Sequence, residues 1–188
     1  MLFRSIKSGK KIRRYLLISA GAADTNNNIL KMAQTILERK PILPLALLIG
    51  PFYKHQEELK LFREKNPDVK VFEGVDLNEV FSQTKIGICY FGVTMFEMIF
   101  SNIACGVFAT NREQLSGIKH LKNSSIFYDL GIIDHKKFEE KIDKFLNDKN
   151  IRRKILDKIG EAGKLNGDYE VAKKIQDELL KIKRKSNK

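Results

Sequence analysis

Two short stretches of this chain carry small, hydroxyl and carboxylate residues in an order that suits a phosphorylated ligand. The first is Gly21-Ala22-Ala23-Asp24-Thr25-Asn26-Asn27, directly after an apolar run. Small residues let a ligand approach the backbone, and free N–H groups at the start of a following helix attract an anion. Asp24 or Thr25 is a natural N-cap for that helix. The three spaced glycines of a dinucleotide-binding turn are not present. The second stretch is YFGVTMFEMIF, residues 90–100. A turn at Gly92 and a helix starting near Val93-Thr94 put the amides of Val93, Thr94 and Met95 at a helix end and Glu97 one turn further in. A carboxylate in so apolar a run is costly to bury without hydrogen bonds. From that place it can take both hydroxyls of a ribose while the helix end takes the phosphates. Alternatively, Thr94 caps the helix and Glu97, three residues later, closes a capping box. The two readings are not exclusive.

The elements that must position these stretches alternate along the chain. The apolar runs are RYLLISA (14–20), PLALLIG (44–50), VKVFE (69–73), IGICYF (86–91), ACGVFA (104–109) and a weaker SSIFYD from Ser124. Between them lie ILKMAQTILERK, HQEELKLFREK, GVDLNEVFSQ and TMFEMIFS, with helical spacing or composition. Strand-length apolar runs separated by helices predict a parallel sheet covered on both faces. Six such units in about 115 residues fit an α/β, doubly wound (Rossmann-like) domain of about six strands. After residue 134 the chain turns polar and helical, which predicts extra C-terminal helices. In such sheets ligands bind beyond the C-terminal ends of the strands, and both chemical stretches fall there.

Composition limits the classes open to the chain. Its 188 residues are 43% hydrophobic and 31% charged, as in one globular domain. No run reaches the ~18 apolar residues of a membrane helix, and no signal peptide is recognisable, so a cytoplasmic protein is expected. The formal charge of +12 sits at the ends: residues 1–14 contribute +6 and residues 173–188 contribute +5, leaving about +1 for the body. Basic ends can touch acidic lipid, giving an expected peripheral membrane contact, or they simply express a Lys-rich composition at solvated termini. No nucleic-acid-binding motif is present, and nucleic acid is not an expected partner. Cys89 and Cys105 lie inside apolar runs and are expected to be buried free thiols. His55, His120 and His135 are far apart, and neither a metal site nor a cofactor is indicated.

The order GAADTNN, IGPFYKHQEELK, FEGVDLNEVF, FGVTMFE and NREQ resembles the C-terminal domain of GT-B glycosyltransferase-like proteins. It is most similar to the UDP-sugar hydrolase of pseudaminic acid biosynthesis and the related spore-coat polysaccharide proteins. The likeness runs from about residue 14 to NGDYEVAKKIQDEL near the end. It implies a nucleotide-binding set of Gly21, Asp24, Gly92, Val93, Thr94, Met95 and Glu97, with Glu97 on the ribose and the second stretch and its helix on the diphosphate. It also implies that Gln114 lies near the sugar. The chain departs from the family pattern at Ala22 and Ala23 in place of Gly-Ser, at Phe91 in place of Gly, at Val93 in place of Ser, and at Met95-Phe96 in place of Thr-Trp. The Phe91 ring could fill space beside the phosphate loop or form part of a uracil shelf.

Residues 1–13 read as a basic, linker-like segment and 14–188 as the nucleotide-sugar-binding domain, the C-terminal half of a GT-B fold without its N-terminal half. His55 matches a family motif but reads as an ordinary helix-start residue, and no nucleophile–base pair is recognisable, so no catalytic residue is assigned. The resemblance implies binding of UDP or a UDP-sugar for a glycosyltransferase or UDP-sugar hydrolase in surface polysaccharide or glycan biosynthesis. Turnover would need a second domain or a partner chain supplying the N-terminal half. Two alternatives stay open: a non-catalytic binding or scaffold domain with a degenerate loop, and a different, flavodoxin-like domain with another strand order.

Overall fold

The computed structural model describes residues 12–133, 135–161 and 172–178. The basic segment 1–11 and half of the closing stretch NGDYEVAKKIQDEL expected from the resemblance lie outside the described residues.

Six strands form one parallel sheet: β1 (Tyr15–Ser19), β2 (Leu45–Ile49), β3 (Lys70–Glu73), β4 (Thr84–Tyr90), β5 (Ala104–Ala109) and β6 (Tyr128–Ile132), in the spatial order β3-β2-β1-β4-β5-β6. The order reverses between β1 and β4, so the topological switch point lies between their C-terminal ends. This arrangement separates the domain from the flavodoxin-like order.

The connecting helices are α1 (Asn28–Leu37), α2 (Gln56–Lys65), α3 (Leu77–Gln83), α4 (Val93–Phe100) and α5 (Arg112–Leu121), followed by α6 (Phe138–Asn147) and α7 (Lys149–Glu161). The two-residue period of the strands decides which helices meet which side chains. Leu16, Ile18, Leu45, Leu47, Ile49, Ile86, Ile88 and Phe108 face the layer of α1, α2, α6 and α7. Leu17, Ala46, Leu48, Cys89, Cys105 and Val107 face the layer of α3, α4 and α5. With both faces covered, β2 and β5 are buried along their whole length, which is why they read as unbroken apolar runs. Both cysteines are free and buried, as expected.

Two boundaries differ from the expectation. SSIFYD is not the last strand: Lys122–Ser124 form a 3-10 turn, Ser125 is left-handed (φ 55°), and β6 starts at Tyr128. Phe127 is buried from the turn rather than from the strand, so its apolarity marks the core but not the ladder. The C-terminal helical stretch is broken at Asp148, whose carboxylate accepts from Asn150 N (2.8 Å) and opens α7. Arg152 donates to the carbonyls of Phe145 and Leu146, closing the end of α6. Among the described residues, no helix is long and apolar enough to cross a membrane.

Candidate functional site

Both stretches meet at the switch point. The loop 20–27 leaves the end of β1, and Gly92 leads from β4 into α4. Gly21 has φ +77°, a conformation side-chain-bearing residues rarely adopt. Gly50, at the end of β2, lets this loop lie close: a Cβ there would stand 2.2 Å from the Gly21 carbonyl oxygen. Phe52 N donates to the Ala22 carbonyl at 2.8 Å, pinning the loop from that side.

Asp24 is buried (7% exposed) and its carboxylate is used within the fold. One oxygen accepts from Asn28 N (2.9 Å) and the other from Ile29 N (2.8 Å), so it closes the first turn of α1 from outside the helix. This is a charge-assisted cap, and it occupies the amides that an anion would otherwise use. Asn27, left-handed at φ 52°, is the N-cap residue but makes no side-chain cap itself. Its amide oxygen accepts from the Tyr53 hydroxyl at 2.6 Å. Burial, then the charges of Asp24 and Glu58, push the Tyr53 phenol well up, so it stays a donor. The His55 ring Nε2 lies 3.0 Å from the Thr25 carbonyl. His55 is indeed the residue before α2, yet its ring also ties that helix to the loop after β1.

The start of α4 is built differently. Gly92 is its N-cap, in extended conformation, and no side chain caps the helix. The capping box of Thr94 and Glu97 is therefore not formed: with the cap at Gly92, the third helical position is Met95, which is buried and apolar. Of the three amides expected at this helix end, that of Met95 donates to the Gly92 carbonyl at 3.2 Å, and those of Val93 and Thr94 are left to solvent or a ligand. Glu97 is half-buried with no side-chain hydrogen bond among the described residues, and burial raises its carboxyl above the ordinary value. Its backbone carbonyl accepts from Ser101 N (3.0 Å) and Ser101 Oγ (2.7 Å). Thr94 is half-buried, and Val93 is 66% exposed. Phe91 packs on α5, where a Cβ at Gly117 would come within 2.4 Å of its ring.

Gln114 lies in the first turn of α5 and closes the loop after β5. Its Oε1 accepts from Thr110 N (2.8 Å) and Thr110 Oγ1 (3.0 Å), while its own N–H donates to Asn111 Oδ1 (2.8 Å). Its side-chain NH₂ makes no hydrogen bond to the described residues.

The residue that joins the two stretches is Tyr90, which was not singled out from the sequence. A Cβ at Gly21 would meet its hydroxyl at 1.9 Å, and a Cβ at Gly92 would meet its ring at 3.3 Å. The ring stands edge-on to Phe108 with centroids 6.2 Å apart. Two signals pointed to it: Tyr90 ends an otherwise apolar strand, and it shares the parity of Ile86 and Ile88, which face α1. Elsewhere, an open depression of about 440 Å³ lies along edge strand β3, lined by Arg14, Arg63, Lys70, Glu73 and Glu79 among others. It holds none of the site residues.

No family model matches the chain. It is 25% identical over 112 residues to the uncharacterized protein MJ1062 of Methanocaldococcus jannaschii, covering 57% of this chain and 23% of that protein. Among solved structures it is similar to spinosyn rhamnosyltransferase SpnG, with a TM-score of 0.55 and 16% identity over 86% of this chain and 45% of that one. It is also similar to the C-terminal domain of LpcC, a group 1 family glycosyl transferase of Francisella tularensis, with a TM-score of 0.55 and 16% identity over 80% and 85%. The GtfA/B complex gives a TM-score of 0.56 and 14% identity over 84% of this chain and 35% of that one. The chain thus spans about a quarter of its curated relative and less than half of two of these structures. What the likenesses show is the fold, a Rossmann-like domain of the kind that forms the C-terminal half of GT-B glycosyltransferases.

Proposed function

We propose that this domain binds a nucleotide-sugar, with UDP as its nucleotide, and presents it to a second domain or partner chain. The carrying observation is the uncapped start of α4 at the switch point, with the unpartnered Glu97 one turn inside it. The amides of Val93 and Thr94 supply donors to a diphosphate, helped by the helix dipole. Glu97 accepts from ribose hydroxyls, which would hydrogen-bond a carboxylate that is otherwise half-desolvated. Gly21 shapes the opposite wall. Asp24 acts on the ligand through the shape of the loop, since its oxygens already hold α1. The free NH₂ of Gln114 is the group that reaches for the sugar.

On this reading the domain serves a glycosyltransferase or UDP-sugar hydrolase of surface polysaccharide or glycan synthesis, and the second half supplies the acceptor and the catalytic groups. Phe52, 69% exposed beyond β2, and Val93 put apolar surface on the face that such a half would cover. The basic ends would add contact with acidic lipid. A second reading, a scaffold with a degenerate loop, is favoured by the internal use of Asp24 and of the Gln114 oxygen.

Thermal shift with UDP, UDP-N-acetylglucosamine, GDP and CMP tests the choice. Binding at a hundredfold excess over Kd stabilises the fold by about 2.7 kcal/mol, worth several degrees in a domain of this size. A UDP-selective shift that Glu97→Ala abolishes is the expected result. A folded protein that shifts with none of the four nucleotides would favour the scaffold.

A further inference from the structure

The loop that walls the proposed site has no side-chain donor of its own over its first three residues, Gly21-Ala22-Ala23. Its neighbours are already engaged: Ser19 Oγ accepts from Gly21 N at 3.4 Å, and Asp24 holds α1. A hydroxyl nevertheless reaches this wall from the next strand. Tyr90 leaves the end of β4 on the α1 side, crosses the switch point and sets its hydroxyl against Gly21, while its ring edge passes under Gly92. No hydrogen bond to the described residues satisfies that hydroxyl, although the ring is half-buried. The hydroxyl is open to solvent and free to donate, so an anion between the loop and α4 can take its hydrogen in place of water.

We infer that Tyr90 is a ligand-binding residue of this site, its hydroxyl donating a hydrogen bond to the phosphate that rests on the first amides of α4. The inference rests on the nucleotide-binding reading above and adds a residue that the resemblance does not assign to the site. Several features keep the donor in place. Phe108 stacks edge-on against the ring, and Gly21 alone leaves room for the hydroxyl. Burial, with Asp24 and Cys89 nearby, raises the phenol above its ordinary value, so it carries its proton at neutral pH.

The test is calorimetric titration of the intact chain with UDP and with inorganic pyrophosphate, comparing wild type with Tyr90→Phe and with Lys149→Ala, an exposed change far along the chain. Phenylalanine keeps the ring on Phe108 and the packing under Gly92, so an unchanged melting midpoint certifies the fold. The expected result is a loss of about tenfold or more in affinity for both probes in Tyr90→Phe, the size of a hydrogen bond to a charged group. Equal affinity in wild type and Tyr90→Phe would overturn the inference and leave nucleotide binding standing. Tighter binding by Tyr90→Phe would also overturn it, showing that the hydroxyl obstructs the phosphate. A folded wild type that binds neither probe would overturn the nucleotide-binding reading, and the role of Tyr90 with it.

Discussion

The Tyr90 hydroxyl stands where a methyl group on Gly21 would have to go, 1.9 Å from that position. One residue comes from the loop after β1 and the other from the end of β4, so their contact fixes the width of the crevice at the switch point. Gly21 is required twice over, by its positive φ and by the phenol against it.

Gly21→Ala is therefore expected to destabilise the domain. The backbone conformation alone costs on the order of 1–3 kcal/mol in a residue with a side chain, and the clash adds to it. At roughly 2–4 °C per kcal/mol, the melting midpoint should fall by several degrees. In a Tyr90→Ala background the same change should cost less, because only the φ penalty remains. Denaturant melts of the two single variants and the double variant give the coupling directly, and additive costs would mean that the loop moves aside freely.

Glu97 makes a prediction with a definite sign in pH. Burial raises its carboxyl in the folded state, so the folded chain holds this proton more tightly than the unfolded chain. Stability from this group is then greatest below the ordinary carboxyl range and is lost as pH rises through the raised value. Glu97→Gln removes that loss. Melting curves from about pH 4 to pH 7 should diverge, with the variant gaining on wild type as pH rises. Parallel curves would mean that the carboxylate is solvated like any surface acid. The gain should shrink when UDP is present, because the variant gives up a ligand contact.

The two thiols give a test of the core. Cys89 and Cys105 are 1% and 0% exposed, and a thiol–thiol hydrogen bond followed by burial holds Cys89 well above the ordinary thiol range. Neither should react with iodoacetamide in the native state on the time in which the unfolded chain is fully labelled. Because both belong to the layer under α4 and α5, they should be exposed together. Mass spectra of partly reacted protein are expected to show mainly unlabelled and doubly labelled chains. A prominent singly labelled species would reveal local opening of one strand.

Most of the sheet was readable because its strands are buried on both faces. Leu45–Ile49 and Ala104–Ala109 have no polar alternation to confuse with a helix, and Gly or Pro marks their surroundings. The last strand was less so: Leu130 is its one fully buried side chain, so YDLGI carries little apolar signal beside Ile126-Phe127 just before it. In the site, the sequence located both loops but not the division of labour between them. Asp24 and Glu97 are both acids near a helix start, and spacing cannot tell that one spends its oxygens on α1 while the other keeps them free. That distinction depends on a left-handed Asp24 at φ 39° and an extended Gly92. Tyr90 escaped notice for a related reason. A tyrosine at a strand end is common, and its significance lies in a contact with a residue 69 positions earlier.

Arg13 gives α4 a second role. Its guanidinium donates to the carbonyls of Ser101 (2.7 Å) and Asn102 (2.6 Å), and Ser101 in turn holds the Glu97 carbonyl. The stretch of chain leading into β1 is thus fastened to the rear of the helix whose front forms the site. At 1.5 Å per residue, the eight residues of α4 make a rod about 12 Å long. The entry to β1 and the far end of that rod are therefore held as one piece, by two hydrogen bonds that Arg13→Ala would remove together.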